Sequence, residues 1–587
     1  MTAFLPHNDP QLFQRMRDLD LARTCYTYNY THVSPLAVVD RVPMHDEFSS
    51  EWLKTVGERV VVALANMAEV EMDEFCREHH LTKRSMLFRM ITSGYNAVKA
   101  LRHVVQESLR FSGRIGADCY RPDKLEEYAG LFHTIGLPPI ARDYQNDAAF
   151  ARMRLAGPNP VMLKSVQTLP DNFPVEDDYL RQAVVDDSLE AALAEGRLFL
   201  CDYGILNHVD CGSFPHGRKY LYAPLAMFVV EKTTGQLLPF AIQTRQRPDK
   251  KNPVFSPADG FNWLIAKTIV EIADGNVHEA VTHLGRTHLF VEPFVVSTFR
   301  QLSPRHPVGR LLAPHFQGTL AINEAAWQHL IANKGAVDKL LGVTIEEARR
   351  LTVQGVQSFS VNDAFQPLTF QARGVDDAER LPDYPYRDDS MLYWEVIHEW
   401  VEKYCRAYYQ SDQDVCEDIE IQAWYRELIA KDGGRIAGFG RDGGLSSIEY
   451  LAEVVALVIF TSSVQHAAVN FPQYDLMSYA PNMPLAGYAP APEEKSGATA
   501  QDYLNMLPPM DMAELQMELG YLLGTVHYTQ LGHYECDYFS GSSAVALAEA
   551  RFRDRLDAIA QTIQQRNQQR SPYAFLLPSG VPQSINI

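Results

Sequence analysis

Four side chains and one chain end in this sequence have the chemistry of metal ligands, and their spacing decides whether they could act together. His283 and His288 lie five residues apart in an apolar-periodic stretch, and imidazole is the commonest metal-binding side chain. On a regular α-helix five residues is a rotation of about 140°, so the two rings would face different sides. They converge only if the helix carries a π-type turn, a distortion frequent at functional sites. Without one, the pair reads as one buried and one surface histidine. His466 and Asn470 are four apart and so share one face of a second helix, where a hydrogen-bonded core pair is the competing reading. The chain finishes on Ile587, after the apolar, Pro-rich stretch SPYAFLLPSGVPQSIN. Chain ends are usually poorly ordered. An apolar last residue fits a terminal carboxylate held on a metal while its side chain anchors in the core; the alternative is an incidental exposed isoleucine. Three imidazoles, an amide oxygen and a carboxylate, with a sixth place for water, suit an octahedral redox-active first-row metal better than tetrahedral zinc. His278-Glu279 followed by His283 imitates the HExxH of zinc proteases, but the gap is one residue too long for both histidines to share a face.

These residues need helices to hold them. Ser446 with Glu449 fits a capping box for a helix carrying Leu451, Val454, Val455, Val458 and Phe460. It is expected to end near Asn470, because Pro472 biases Phe471 away from helical geometry. Its run Leu451–Val469 is long and apolar enough for a membrane span, yet Glu453, Gln465 and His466 would be costly in lipid, so it reads as a buried core helix. From Trp263 onward the pattern is helical apart from Pro-rich loops near Ser303–Pro307, Pro382–Tyr386 and Tyr479–Glu494. Residues 197–245 hold three β-type runs, RLFLCDYGIL, KYLYAPLAMFVVEK and QLLPFAIQT, expected to form a small sheet beside a helical body. Residues 112–170 are loop-rich. Residues 1–111 read as a helical N-terminal extension, with helices over Glu51–Glu69 and over Arg84–Phe111, the latter capped by Thr82. Gly433–Gly444 (GGRIAGFGRDGG) lacks the strand and glycine spacing of a nucleotide loop and reads as a linker. The fold class is mainly α, with the body over 112–587.

Composition excludes several partners. With 53 basic against 73 acidic residues the net charge is −20, which argues against nucleic acid and offers no polybasic patch for anionic lipid. The eight cysteines include no CxxC pair, and the first residues contain no apolar signal-peptide core; both point to reduced thiols and a cytoplasmic location.

The words THLFVEPFVVSTFRQLSPRHPVGRLLAPHF, VQHAAVNFPQYD and the final SINI together resemble the lipoxygenase family of non-heme iron dioxygenases. Shorter landmarks run in the same order from LPDNFPVEDDYL at Leu169 to the chain end: EGRLFLCDY, KYLYAPLAMF, FAIQT, DDSMLYWEVIHEWV, IQAWYREL and PNMP. The resemblance implies a lipoxygenase-type helical catalytic domain and one iron held by His283, His288, His466, Asn470 and the carboxylate of Ile587, with manganese as the alternative. It implies Glu279 and Gln473 as hydrogen-bonding groups between cavity and metal. It further implies a ferric, hydroxide-bearing active form that takes hydrogen from a cis,cis-1,4-pentadiene before dioxygen adds to the carbon radical.

Pocket positions carry over in the same way. Ala326 stands where alanine accompanies S and glycine R stereochemistry, so an S-hydroperoxide is expected. Leu330 and Val337 match residues flanking the pentadiene, and Leu340 and Leu341 match positions that set pocket depth. Gly275 replaces a bulky aromatic, which implies a deep pocket for C18 or C20 acids. Two departures stand out: Phe299 where histidine is common, and no sign of the N-terminal β-barrel of many relatives. The partners implied are a polyunsaturated fatty acid and O2, with transient membrane contact through the helical start and a monomeric chain. A hydroperoxide isomerase or lyase on the same fold, or an inactive lipid-binding protein, are the alternative functions.

Overall fold

The computed structural model describes residues 3–78, 120–539 and 541–587, and the side chains of 72–78 lie outside that description. The expected helix Arg84–Phe111 and its Thr82 cap therefore fall outside the described residues. The fold is mainly helical. Before the body come a two-residue ladder, β1 (Tyr28–Asn29) with β2 (Val38–Val39), and a long helix α1 (Ser50–Glu78), which contains the expected Glu51–Glu69.

The small sheet is antiparallel, in the order β3 (Lys164–Ser165), β4 (Leu198–Asp202), β5 (Leu225–Val230), β6 (Leu237–Gln243), β7 (Val254–Phe255). Alternation along the strands splits its side chains between two faces. Phe199, Cys201, Ala226, Phe228 and Ile242 join the main core, while Leu198, Leu225, Met227 and Phe240 close a separate cluster with Phe173, Leu180 and Ala192. The segment KYLY does not join the sheet; Tyr220 makes only an isolated bridge to Gly487.

Two unbroken helical runs cross the centre. The first comprises α2 (Phe261–Val277), a π-helix over His278–Leu289 and α3 (Phe290–Gln301). The second comprises α6 (Ile448–Phe460), a π-turn over Thr461–Gln465, the turn His466–Asn470 and a further π-turn over Gln473–Met477. Between them in sequence, α4 (Ile345–Gln357) packs on the π-helix and α5 (Pro385–Arg406) on α6. The second run has the length and hydropathy of a membrane span, but it is buried as the core helix of the body.

Two details differ from the sequence reading. The cap of α6 is Ser447, whose hydroxyl accepts from the Tyr450 N–H at 3.2 Å, one residue later than expected. Phe471 is helical, with φ −69° and ψ −26°, and the run continues through Pro472 to Met477. The steric bias before proline is a preference, and here packing overrides it. The wide turn closes with Ser478 N–H on Gln473 O at 2.9 Å, and it packs on α7 (Met510–Thr525), where a Cβ on Gly524 would stand 2.6 Å from Tyr474 N.

The π-helix and α4 approach closely because glycines face each other. A Cβ on Gly355 would lie 3.0 Å from Val281 Cγ1 and 3.2 Å from Val281 Cα, and one on Gly285 would lie 3.1 Å from Thr352 O. Gly355→Leu is expected to wedge the helices apart at a cost of about 1–3 kcal/mol, the usual range for overpacking. A thermal unfolding midpoint equal to that of the parent chain would contradict this packing.

Candidate metal centre

Burial and a change of helical register bring the histidines together. In a π-helix the i→i+5 hydrogen bonds place residues five apart above one another, and His283 and His288 sit inside that segment. Their Nε2 atoms are 3.3 Å apart. His466, at the end of the π-turn Thr461–Gln465, completes the group: nitrogens of His283, His288 and His466 all lie within 4.8 Å of one another, and all three residues are buried. The ring centroids are 5.0 to 5.4 Å apart.

Each ring is held in a neutral state. Burial lowers the pKa of all three, that of His288 to about 3 and that of His466 well below the ordinary value, and the neighbouring imidazoles depress both further. His288 Nδ1 donates to Asn323 Oδ1 at 2.8 Å, because the Asn323 amide is turned to give its N–H to Glu292 at 2.7 Å. The other oxygen of Glu292 accepts the Val39 N–H at 2.7 Å. This chain of bonds fixes the tautomer that leaves the Nε2 lone pair of His288 free.

His466 is fully buried, and its one hydrogen-bonding neighbour among the described residues is the main chain of Ile587, so at least one ring nitrogen is left without a partner. A buried ring nitrogen left without a partner costs roughly 1–3 kcal/mol. A cation among three neutral imidazoles removes that cost, so the donor set fits a metal ion.

The remaining expected residues are placed as follows. Asn470 is buried one helical turn after His466; its amide donates to Leu523 O at 2.7 Å, and its oxygen accepts from Gln473 Nε2 at 2.9 Å. Glu279 stands 3.9 Å from His283 Nδ1 and 3.4 Å from His278 Nδ1. Burial pushes its carboxyl up, but the two histidines outweigh burial and hold it below the ordinary carboxylate range. The C-terminal segment is clasped from several sides. His315 Nδ1 donates to Gln583 O at 2.8 Å, Thr319 to Ile585 O at 3.0 Å, and Trp52 Nε1, from α1, to Asn586 O at 2.7 Å. The Ile587 side chain packs with Trp52 and Val526. The chain end is therefore ordered and buried beside the histidines.

A cavity opens from this cluster. Glu279, His283, His288, Ala326, Leu330, Val337, Leu341 and Ile587 line it. So do residues that sequence reasoning missed, among them Leu284, Ile322, Ile331 and Leu523. Nothing in their local pattern separates them from ordinary core residues. Leu340 and Gly275 do not belong to its wall. Leu340 is buried in the main core, and the space beside Gly275 is filled: a Cβ there would stand 2.8 Å from Leu485 Cδ2. The deep pocket expected from that glycine is thus replaced by Leu485 and Met483. The cavity holds about 80 Å³, well below the roughly 300–1,000 Å³ usual for ligand sites, so an acyl chain must displace wall side chains to enter.

The sequence model of one family, described as Lipoxygenase, matches residues 41–574. The chain belongs to the lipoxygenase family. It is an oxidoreductase of the dioxygenase class, with a non-heme metal site. This lipoxygenase is 36% identical over 612 residues to the linoleate 9/13-lipoxygenase of Pseudomonas aeruginosa, a match covering 96% of this chain and 89% of that protein. It is 33% identical to human hydroperoxide isomerase ALOXE3 over 79% of this chain and 66% of that one. A LOX variant crystallised anaerobically with arachidonate superposes with a TM-score of 0.84 at 29% identity, covering 100% of this chain and 84% of that one.

Among the described residues Cys25, Cys201, Cys211, Cys405, Cys416 and Cys536 are unpaired thiols.

Asn323→Ala removes the acceptor that orients His288. The variant is expected to lose metal about 10- to 100-fold more readily, the range typical of groups that support ligands. Metal content after timed chelator exposure measures this, and retention equal to the parent's would remove Asn323 from the site's support.

Proposed function

We propose that His283, His288, His466, Asn470 and the terminal carboxylate of Ile587 hold one iron, and that the enzyme converts polyunsaturated fatty acids and O2 into S-hydroperoxides. The observation that carries this reading is the trio of neutral, buried imidazoles, one of them with a ring nitrogen left unpartnered, at the wall of an apolar cavity. Nitrogen and oxygen donors without thiolate favour iron, with manganese the closest competitor. Linoleate in the name of the bacterial relative and arachidonate in the solved complex support the substrate class.

When bound, the metal supplies a one-electron oxidant and a base that together remove hydrogen from the doubly allylic carbon of a cis,cis-1,4-pentadiene. The chain's own residues do the rest. Leu330, Val337 and Leu341 grip the hydrocarbon on either side of the reacting carbons, and Ala326 sets the wall against which O2 arrives. Aliphatic walls exclude water from the carbon radical. Asn323 and Glu292 keep His288 oriented, while Gln473 engages one lone pair of Asn470 and leaves a weak oxygen donor. We further propose that the enzyme acts as a monomer in the cytoplasm.

The match to hydroperoxide isomerase ALOXE3 favours a second reading, isomerisation of hydroperoxides at the same site. Linoleate with O2 separates the two: conjugated-diene absorbance rising with oxygen uptake supports the dioxygenase, and turnover of added hydroperoxide alone supports the isomerase.

His288→Ala and deletion of Ile587 are each expected to leave a folded chain with bound iron below a tenth of the parent level, read by elemental analysis and circular dichroism. Full iron occupancy in both would refute the ligand set. Ala326→Gly is expected to move oxygenation toward the neighbouring carbon with R configuration. Chiral chromatography returning the parent product would refute the role given to Ala326.

A further inference from the structure

Behind the metal-bearing helices lies a second cavity, of about 630 Å³, that shares no lining residue with the first. The π-helix gives it Val281, Thr282 and Arg286, and the second central run gives it Phe460, Thr461 and Gln465. It is thus a space in which the outer faces of both π segments meet.

Its charges are unbalanced. Lys164, Arg286 and Arg373 all face it, and among the described residues none of the three forms an ion pair. Arg373 bonds only neutral groups, the carbonyls of Thr369 and Leu163 and the Tyr384 hydroxyl. The Nε of Arg286 is buried without a partner, and besides a 3.5 Å contact with Ser358 Oγ its guanidinium has the face of the Phe359 ring, 5.6 Å away, and no carboxylate among the described residues. Burial lowers the pKa of Arg286, with no opposing acid. Two acids also line the cavity, but Asp202 is engaged by the Gly204 N–H and the Gln246 amide, and Asp363 reaches none of the cations. In a chain whose acids outnumber its bases 73 to 53, three cations left unpaired on one cavity mark a place for an anion. A desolvated guanidinium is costly without a counter-charge, and its planar fork matches a carboxylate. The rest of the wall is mixed: Val161, Met162, Val281 and Leu457 make apolar stretches between polar groups such as Gln366, Thr461 and Gln465. The volume falls within the roughly 300–1,000 Å³ of ligand sites.

We propose that this cavity is a second ligand site for a fatty carboxylate, with the head group on Arg286 and Lys164 and the chain along the apolar stretches of the wall. The choice of a fatty carboxylate over another anion rests on the substrate reading above; the site itself does not. Substrate and oxygenated product carry the same head group, and either can supply the ligand. The cavity touches both helices that carry the histidines, so an occupant lies directly behind the metal centre.

Dodecanoate has no pentadiene and is a suitable probe of the metal-loaded enzyme by titration calorimetry. The parent chain is expected to bind two per chain. Ala326→Trp, which plugs the metal cavity, and the double change Lys164→Gln with Arg286→Gln should each leave one, the double variant weakening the affected site at least tenfold. Ser358→Trp, at the exposed rim, gives a second obstruction should the double variant fail to fold. One site that Ala326→Trp abolishes and the Lys164/Arg286 and Ser358 variants leave alone overturns the proposal and keeps the substrate reading. One site with the opposite response keeps the proposal and overturns that reading. Tighter binding of the reduced hydroxy-acid product than of octadecanoate at the Arg286 site assigns it to product, and the reverse order assigns it to unreacted acid.

Discussion

Three buried imidazoles packed against one another, with too few hydrogen-bond partners among the described residues, are the constraint around which the rest of the structure is arranged. Burial removes the option of protonation, since charging any one of them would place an unpaired cation in a low-dielectric site. Neutral rings with free lone pairs are what a metal requires, and they are poor companions otherwise. The backbone accepts a cost to hold them there: the two central helices both leave α geometry where they meet, at His278–Leu289 and at Thr461–Gln465. A wider turn is less favourable locally, and it persists because α4 and the second run pack tightly on both sides.

Support for the cluster comes from distant parts of the chain. Val39 in β2 holds Glu292, Glu292 holds Asn323, and Asn323 holds His288. Trp52 in α1, with Thr319 and His315, holds the last five residues against the site. Elsewhere a chain end of this kind frays; here each main-chain carbonyl that is clasped removes freedom from the terminal carboxylate. A polar lattice also backs the π-helix, running from Thr282 through Asn159 and Asp274 to Arg154. The helix this lattice braces cannot slide without breaking several of its bonds, although Arg154 Nε and Asp274 Oδ2 are left without a hydrogen bond.

The cavity beside the cluster is apolar and narrow, and Glu279 is the one acidic side chain in its wall. A hydrocarbon suits that lining, and a carboxylate head does not, because the Glu279 carboxylate repels it. The second cavity has the reverse character, with unpaired cations and mixed walls. The two central helices therefore separate an apolar face beside the histidines from a cationic face.

Much of the centre was legible in the residues. The five-residue gap between His283 and His288 allowed the rings to converge only through a π-turn, and the four-residue gap put Asn470 on the face of His466; whether that turn formed and whether the last isoleucine faced inward was left to the family resemblance. The strands of the sheet and the buried character of the Leu451–Val469 run followed from alternation and from the charges inside it. Local rules failed where packing outvoted them: the helix runs on through Phe471–Pro472 because Gly524 lets Tyr474 in close, and the space at Gly275 is filled by Leu485. Ligand types and their spacing are properties of the chain as written, since they depend on covalent order and helical pitch alone. The convergence of three histidines from two helices, the Asn323 and Trp52 supports, the closure of the cavity and the unpaired cations behind it are decided only by tertiary structure. Each of these depends on contacts between segments tens to hundreds of residues apart, which no local periodicity encodes.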